Sequence, residues 1–268
     1  MLLQQLISKL ETIAPEENGF PNDVYGLQFG LKLTMDRFNV TKTIIALDPT
    51  EFAIAKAIKE KANLLITHHG LTHVPIMNFN DDILTKFSLL AQHRIQVYTI
   101  HTAWDAAPSG VTESLAKRVG LEIERPFLMY HRHNSSHGKP LGRICKPYNS
   151  TITVEKLASE VKRKLGVPYC QVFGKLDKYV TQVAVSGGKG FTTRGIWTAV
   201  EDGCDCLLTG EITYKEENLA ETFDIPIITA GHYATEFPGM ESLQKILTLE
   251  CPRDEFILFE EKKNNHFI

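Results

Sequence analysis

The chain has 268 residues, 43% of them apolar and 23% charged, a balance that lets a globular fold bury a sizeable core. A formal net charge of -3 offers neither a basic face for nucleic acid nor an acidic tail. Five cysteines (Cys145, Cys170, Cys204, Cys206 and Cys251) are an odd, scattered set and not a disulfide framework.

In chain order, "MLLQQLISKLETI" has apolar residues at helical spacing and predicts an amphipathic first helix rather than a signal peptide. No apolar run approaches the length of a membrane span, so the expected setting is cytoplasmic, with no membrane partner. "TKTIIALD" predicts a strand, "PTEFAIAKAIKEKA" a helix, and "NLLIT" a second strand that runs directly into His68 and His69. Neighbouring residues on a strand point to opposite faces. Two adjacent imidazoles are therefore either unrelated loop residues, or the sign that the strand stops and the loop turns both towards one place. "RIQVYTIHTAWDAAPSGVTESLAKRVGLE" then gives a strand, His101, Asp105 four residues later, and a helix.

The stretch "MYHRHNSSHGKPLGR" is polar and punctuated by Gly and Pro, which predicts a connecting loop centred on residues 131–140. Its His131, His133 and His137 form a tract that could bind metal, although a solvated loop is the simpler reading. "ITVEKLASEVKRKLG" predicts a helix starting near Thr151 or Thr153, and "YCQVFG" a strand. "VTQVAVSGG", the helical "GIWTAVEDG" and "CDCLLTG" repeat the strand–helix–strand grammar, with Cys204 and Cys206 read as a helix end entering a strand rather than a metal clip. "DIPIITAGHYATEFPGMESLQKILTLE" closes the series with His232, Glu236 and a helix.

This alternation predicts an α/β fold of two similar αβ halves with mostly parallel sheets, residues 1–130 and 141–268, and a metal site between them at the strand ends. His101 and Asp105 match His232 and Glu236, and Thr67 of "LLITHHG" matches Thr209 of "LLTGEIT". Strand ends thus deliver His68, His69, His101, Asp105, His232 and Glu236. Imidazoles and carboxylates without thiolates suit zinc, iron, manganese or nickel. Six donors exceed what one tetrahedral ion with an open position needs and suit two ions sharing a carboxylate.

"SGGKGF" lacks the spacing of a P-loop, and a plain glycine turn is its simplest reading. Gly188 and Lys189 are nevertheless the expected contacts for an anionic substrate group. Trp104 and Tyr233, inside the metal motifs, either line a pocket or pack beneath the loops.

The segments "DVYGLQFG", "ALDPTEFAIAKAIKEKANLLITHH", "HTAWDAAPSGVTESLAKRVGL", "GRI", "VAVSGGKG", "LLTGEITYKE" and "AGHYATEFPG" together resemble the dinuclear-metal-centre hexameric family of NGG-interacting-factor-three-like proteins, also called GTP cyclohydrolase type 2 homologues. The resemblance spans nearly the whole chain and lacks the domain that longer members insert between the halves. It implies two divalent ions, Zn, Fe, Mn or Ni, held by His68, His69, Asp105, His232 and Glu236. Glu236 would bridge, His68 and Asp105 would complete one side, and His69 and His232 the other. His101 is then a proton-transfer or outer residue, or a spare ligand. Gly70 stands where many relatives carry Pro, and "PND" precedes Val24 where a Trp-Asp pair is common; the first departure is expected to loosen the turn behind the histidines.

The resemblance further implies a homohexamer and a small-molecule substrate of nucleotide type. A metal-dependent hydrolase opening the GTP imidazole ring, or one cleaving a phosphoester, is the leading expectation. The alternative is a non-catalytic metal-binding scaffold or regulatory interaction protein. The charge lends no support to a nucleic-acid clamp.

Overall fold

The computed structural model describes residues 1–30, 32–72, 76, 78–131, 134–148 and 151–261, with the backbone alone for 131 and 134–137. Helix α1 (Leu3–Ile13) buries Leu3, Leu6, Ile7 and Leu10, the stripe its periodicity predicts. Strand β1 (Gly26–Phe29) precedes β2 (Lys42–Ala46). Helix α2 (Glu51–Glu60) starts at Thr50, whose side chain accepts from the Ala53 N–H, and stops at Lys61 in the left-handed region, φ 56°. Strand β3 (Leu64–Thr67), helix α3 (Asp81–Gln92) and strand β4 (Gln96–Thr99) follow.

Helix α4 (His101–Ala106) opens two residues after β4. Helix α5 (Val111–Val119) ends at Gly120, φ 81°. Strands β5 (Leu121–His131) and β6 (Asn134–Pro147) pair antiparallel from Leu121↔Pro147 to His131↔Asn134. This hairpin corrects the loop expected over 131–140. Backbone pairing needs no apolar alternation, and register shifts around Met129 fit the polar, Gly- and Pro-containing arm to its partner. The side chains of His131, His133 and His137 lie outside the described residues.

Strand β7 (Ile152–Thr153) leads into helix α6 (Val154–Leu165), capped by the Thr153 side chain and ended at Gly166, φ 67°. Strands β8 (Gln171–Phe173), β9 (Tyr179–Val180) and β10 (Val183–Val185) come next. Helix α7 (Thr193–Glu201) is capped by Thr192. Then come strand β11 (Cys206–Thr209), helix α8 (Tyr214–Thr222), strand β12 (Ile227–Thr229), helix α9 (His232–Glu250) and strand β13 (Glu255–Leu258). Cys204 and Cys206 are both buried, where helix α7 gives way to strand β11. No helix among the described residues is long and apolar enough to cross a membrane.

The chain forms two compact units, so the division is not a single cut near residue 131. The first comprises Met1–Glu16, Asn22–His101 and Leu243–Ile268, and the second Glu17–Pro21 and Thr102–Ser242. Strand β13 belongs to the first because it pairs in parallel with β2. The first sheet runs β1-β4-β3-β2-β13, parallel except for β1. Ile44, Leu65 and Val97 pack with Ala53, Ile54, Ala57 and Leu90, while Ile45, Leu64 and Ile66 are fully buried too. Both faces being covered explains the unbroken apolar runs "TIIA" and "LLIT".

The second sheet runs β5-β6-β10-β11-β12-β8, with β10, β11 and β12 parallel at its centre and antiparallel strands on either side. Val183, Val185, Cys206 and Leu208 pack with Leu115, Val119, Leu157 and Val161. Ala184, Leu207 and Ile227 pack instead with Phe127, Ile144, Phe191 and Ile196. The expected α/β fold is the one the chain adopts. The parallel trio β2-β3-β4, with β1 antiparallel beside β4, recurs as β10-β11-β12 with β8 antiparallel beside β12.

Candidate metal centre

In the first unit, β2, β3 and β4 are parallel, so their carboxyl ends share one edge. Strand β3 stops at Thr67. The His68 N–H donates to the Leu47 carbonyl at 3.1 Å and the His69 N–H to the same oxygen at 3.0 Å. The Thr67 hydroxyl donates to the His69 carbonyl at 2.7 Å, and the Thr99 hydroxyl reaches the same oxygen at 3.3 Å. The chain therefore turns immediately after the strand. His68 and His69 escape the alternation that would have sent them to opposite faces, and their ring centroids stand 4.8 Å apart.

The His101 N–H donates to the His68 carbonyl at 3.0 Å, which holds His101 at the same turn. Its ring lies 5.2 Å from that of His68 and 5.6 Å from that of His69, and one nitrogen from each of the three falls within 4.8 Å of the others. His68 is fully buried; His69 and His101 are half-buried. His69 Nδ1 lies 2.8 Å from Asp48 Oδ1, and His101 Nδ1 lies 2.7 Å from Asp23 Oδ1. Behind the pair, Gly70 is buried, and a Cβ there would meet Val24 Cγ1 at 2.5 Å. The turn expected to be loose is packed.

In the second unit, His232 opens α9 and Glu236 lies one turn on, the spacing that puts both on one helix face. His232 Nε2 is 3.1 Å from Glu236 Oε1, and its Nδ1 is 3.3 Å from Glu211 Oε1. A ring nitrogen facing a carboxylate oxygen at that distance needs a cation between their lone pairs, a proton or a metal. Glycines make room for this turn. A Cβ at Gly188 would overlap Glu236 Oε1 and sit 3.0 Å from His232 Nε2; one at Gly210 would lie 2.9 Å from His232 Cα. The Gly188 carbonyl accepts from the Gly210 N–H (2.8 Å), the Glu211 N–H (3.1 Å) and the Thr209 hydroxyl (3.0 Å).

The Gly188 N–H donates to Thr235 Oγ1 at 3.0 Å, so the amide expected to meet an anion is committed, and Gly188 supplies space instead. Lys189 is exposed. Asp105 is half-buried on α4, one turn after His101. Trp104 is fully buried and its Nε1–H donates to the Gly239 carbonyl at 3.1 Å, a packing role. Tyr233 stacks on Phe237, ring centroids 5.1 Å apart.

The donors suit a borderline divalent ion: imidazoles with carboxylates, while burial pushes the Cys204 thiol up to about 11 and the Cys145 thiol to about 12. The Duf34/NIF3 (NGG1p interacting factor 3) family model matches residues 1–265. The chain belongs to the Duf34/NIF3 family. It is 30% identical over 92% of its length to a GTP cyclohydrolase 1 type 2 homolog of Methanocaldococcus jannaschii, covering 95% of that protein. A GTP cyclohydrolase 1 type 2 homolog of Clostridium perfringens is 28% identical, with 98% of each chain covered. Among solved structures, a Bacillus cereus protein related to NIF3 shares the fold at a TM-score of 0.84 and 21% identity, over 99% of this chain and 98% of that one.

Three carboxylates of this NIF3-family chain escaped the sequence reading: Asp23, Asp48 and Glu211. Asp48 and Glu211 each stand two residues past a rim strand, in "ALD" and "TGE", and strand register alone would have pointed to them. Asp23 precedes β1 and carries no such signal.

Proposed function

We propose that this NIF3-family chain is a metal-dependent hydrolase holding two divalent ions, of zinc, iron, manganese or nickel, through His68, His69, Asp105, His232 and Glu236. The observation that supports it most is the convergence of the His68, His69 and His101 rings at the end of β3, with the outer nitrogens of two of them on carboxylates. Bound divalent ions would lower the pKa of a water and polarise the bond it attacks. Asp48 keeps His69 oriented, and the glycine cradle around Gly188 keeps Glu236 beside His232. His101, with Asp23 on its Nδ1, is the residue proposed to transfer a proton.

The names of the two curated relatives suggest a purine nucleotide substrate, with hydrolysis of the GTP imidazole ring as one reaction and phosphoester cleavage as the other. Lys189 is the exposed cation for an anionic group. A cytoplasmic homohexamer completes the reading, and mass measurement in solution checks the assembly.

The test is elemental analysis of protein purified without added metal, then turnover of GTP and a phosphoester panel with Mn, Zn, Fe and Ni. About two ions per chain are expected, as dinuclear hydrolases carry. Glu236→Gln is expected to lose metal and turnover together. No metal after reconstitution overturns the reading. Metal without turnover, with chelation lowering the melting temperature, makes the chain a metal-held scaffold instead.

A further inference from the structure

We propose that a cleft on the second unit, away from the strand-end donors of that unit, binds a small monocarboxylate with a one-ring apolar body. The cleft encloses about 230 Å³. Its floor is the edge of a hydrophobic core: Val119, Leu121 and Leu157 are buried and belong to one cluster. Ile152 packs against that cluster, and Pro147 and the exposed Tyr148 complete the apolar wall.

Strand register separates this cleft from His232. Val185 pairs with Arg143 and Val183 with Cys145, so β6 runs outward past the amino end of β10. Leu121↔Pro147, the outermost pair of the β5–β6 hairpin, lies two residues beyond Cys145. Ile152 pairs with Val180, which precedes β10 in the chain. His232 instead follows the carboxyl end of β12, at the opposite edge of the same parallel trio. The cleft forms where α5 stops at Gly120, φ 81°, and α6 passes beside that end.

Lys156, Glu160 and Lys164 recur every four residues along α6 and share the face that borders the cleft. That spacing would let Glu160 pair with either lysine. Its carboxylate accepts from Arg163 at 2.6 Å instead, and neither lysine makes an ion pair among the described residues. Lys164 is half-buried and donates to the Val119 carbonyl at 3.2 Å, which satisfies the end of α5. This bond holds the ammonium directly over Gly120, where a Cβ would overlap Nζ. An ammonium has three N–H donors, so Lys164 keeps donors for an anion, and the exposed Lys156 adds charge beside it. The volume exceeds the roughly 150 Å³ that accepts a benzene and falls below the roughly 300 Å³ at which pockets for drug-sized molecules begin. One ring with a carboxylate arm fits that space, and a nucleotide does not.

The experiment is saturation-transfer NMR and calorimetric titration of the full chain as purified, at fixed ionic strength, with phenylacetate as the probe. Phenylacetate is expected to bind with a dissociation constant on the order of 1 mM, and phenylacetamide, acetate and inorganic phosphate far more weakly. Lys164→Met is expected to weaken phenylacetate binding about tenfold or more. That variant also loses the bond to Val119, so two substitutions on the surface of α6 decide the matter without it. Lys156→Met is expected to weaken binding and Glu160→Gln to tighten it, each about two- to fivefold. A carboxylate held by a metal ion at the histidines would respond to neither, and unchanged affinity in both variants overturns the proposal. Phenylacetamide binding as tightly as phenylacetate also overturns it, as does the absence of saturation transfer at about 10 mM phenylacetate.

Discussion

Glu211 occupies in the second unit the position that His69 occupies in the first. Each stands two residues beyond the threonine, Thr67 or Thr209, that ends the middle strand of a parallel trio. Beyond the third strand the units differ by one residue: His101 is two past Thr99, whereas His232 is three past Thr229, with Gly231 at φ 88° absorbing the extra step. One scaffold thus carries a ring in one copy and a carboxylate in the other. Glu211→His is expected to place an imidazole beside His232 and, because the position is exposed, to change stability by under about 0.5 kcal/mol. Denaturant melts check the stability, and zinc titration of the metal-stripped variant reads the altered donor set.

Gly188→Ala is expected to be among the most damaging small substitutions in the chain. Its backbone is left-handed, φ 57°, and the added methyl would overlap the Glu236 carboxylate. Backbone strain of this kind costs about 1–3 kcal/mol, and displacement of Glu236 is expected to weaken the proposed metal binding as well. Urea denaturation and elemental analysis read the two effects separately.

Thr235→Val tests the other side of the same cradle. The Thr235 hydroxyl accepts from the buried Gly188 N–H, and valine keeps the shape while removing the acceptor. A cost of about 1–3 kcal/mol is expected, with Thr235→Ser close to wild type. Equal melting points for the valine and serine variants would remove the hydroxyl from the account.

Arg143 makes stability depend on acid. Its guanidinium, side chain 5% exposed, donates to the Glu113 carboxylate and to the carbonyls of Ala106, Pro140 and Gly142. Burial pushes the Glu113 carboxyl up, but the Ser109 N–H, the Arg143 hydrogen bond and the Arg143 charge outweigh it and hold the group below its ordinary value. The folded state therefore favours the ionised form. That stability is complete above the ordinary carboxylate value of 4.5 and is lost as pH falls through the lower folded value. Glu113→Gln is expected to cost about 2 kcal/mol at neutral pH and less under acid, and denaturant melts from pH 7 to pH 3 read the convergence.

Trp104→Phe separates packing from ligand contact. The indole N–H satisfies the Gly239 carbonyl inside the second unit, so its loss is expected to cost about 1–3 kcal/mol while metal content stays at the wild-type level. In the wild type, acrylamide should quench the half-exposed Trp197 and spare Trp104.

The histidine and carboxylate motifs were legible because each follows a β-branched strand and their helical i, i+4 spacing survives in one dimension. The repeat was legible for the same reason: "LLIT" and "LLTG" end on matching threonines. Asp48 and Asp23 were not, since their partners are 21 and 78 residues away and only the strand pairing brings them together. The 131–140 hairpin arm was hidden because its hydrogen bonds are made by the backbone, to which a polar sequence gives no clue. The committed N–H of Gly188 shows the converse: a glycine loop that invites an anion by composition can have spent its amide on a neighbouring hydroxyl.

Strand β13 pairs with β2 across more than two hundred residues of intervening chain, Phe256 opposite Thr43 and Ile257 opposite Ile44. During synthesis on a ribosome, the sheet that carries His68, His69 and His101 consequently waits for a strand that emerges only after Ser242, the last residue of the second unit. The second unit, by contrast, is complete once Ser242 has cleared the exit tunnel. The first unit is opened before the second and closed after it, and by then every proposed donor, Glu236 included, has already been made.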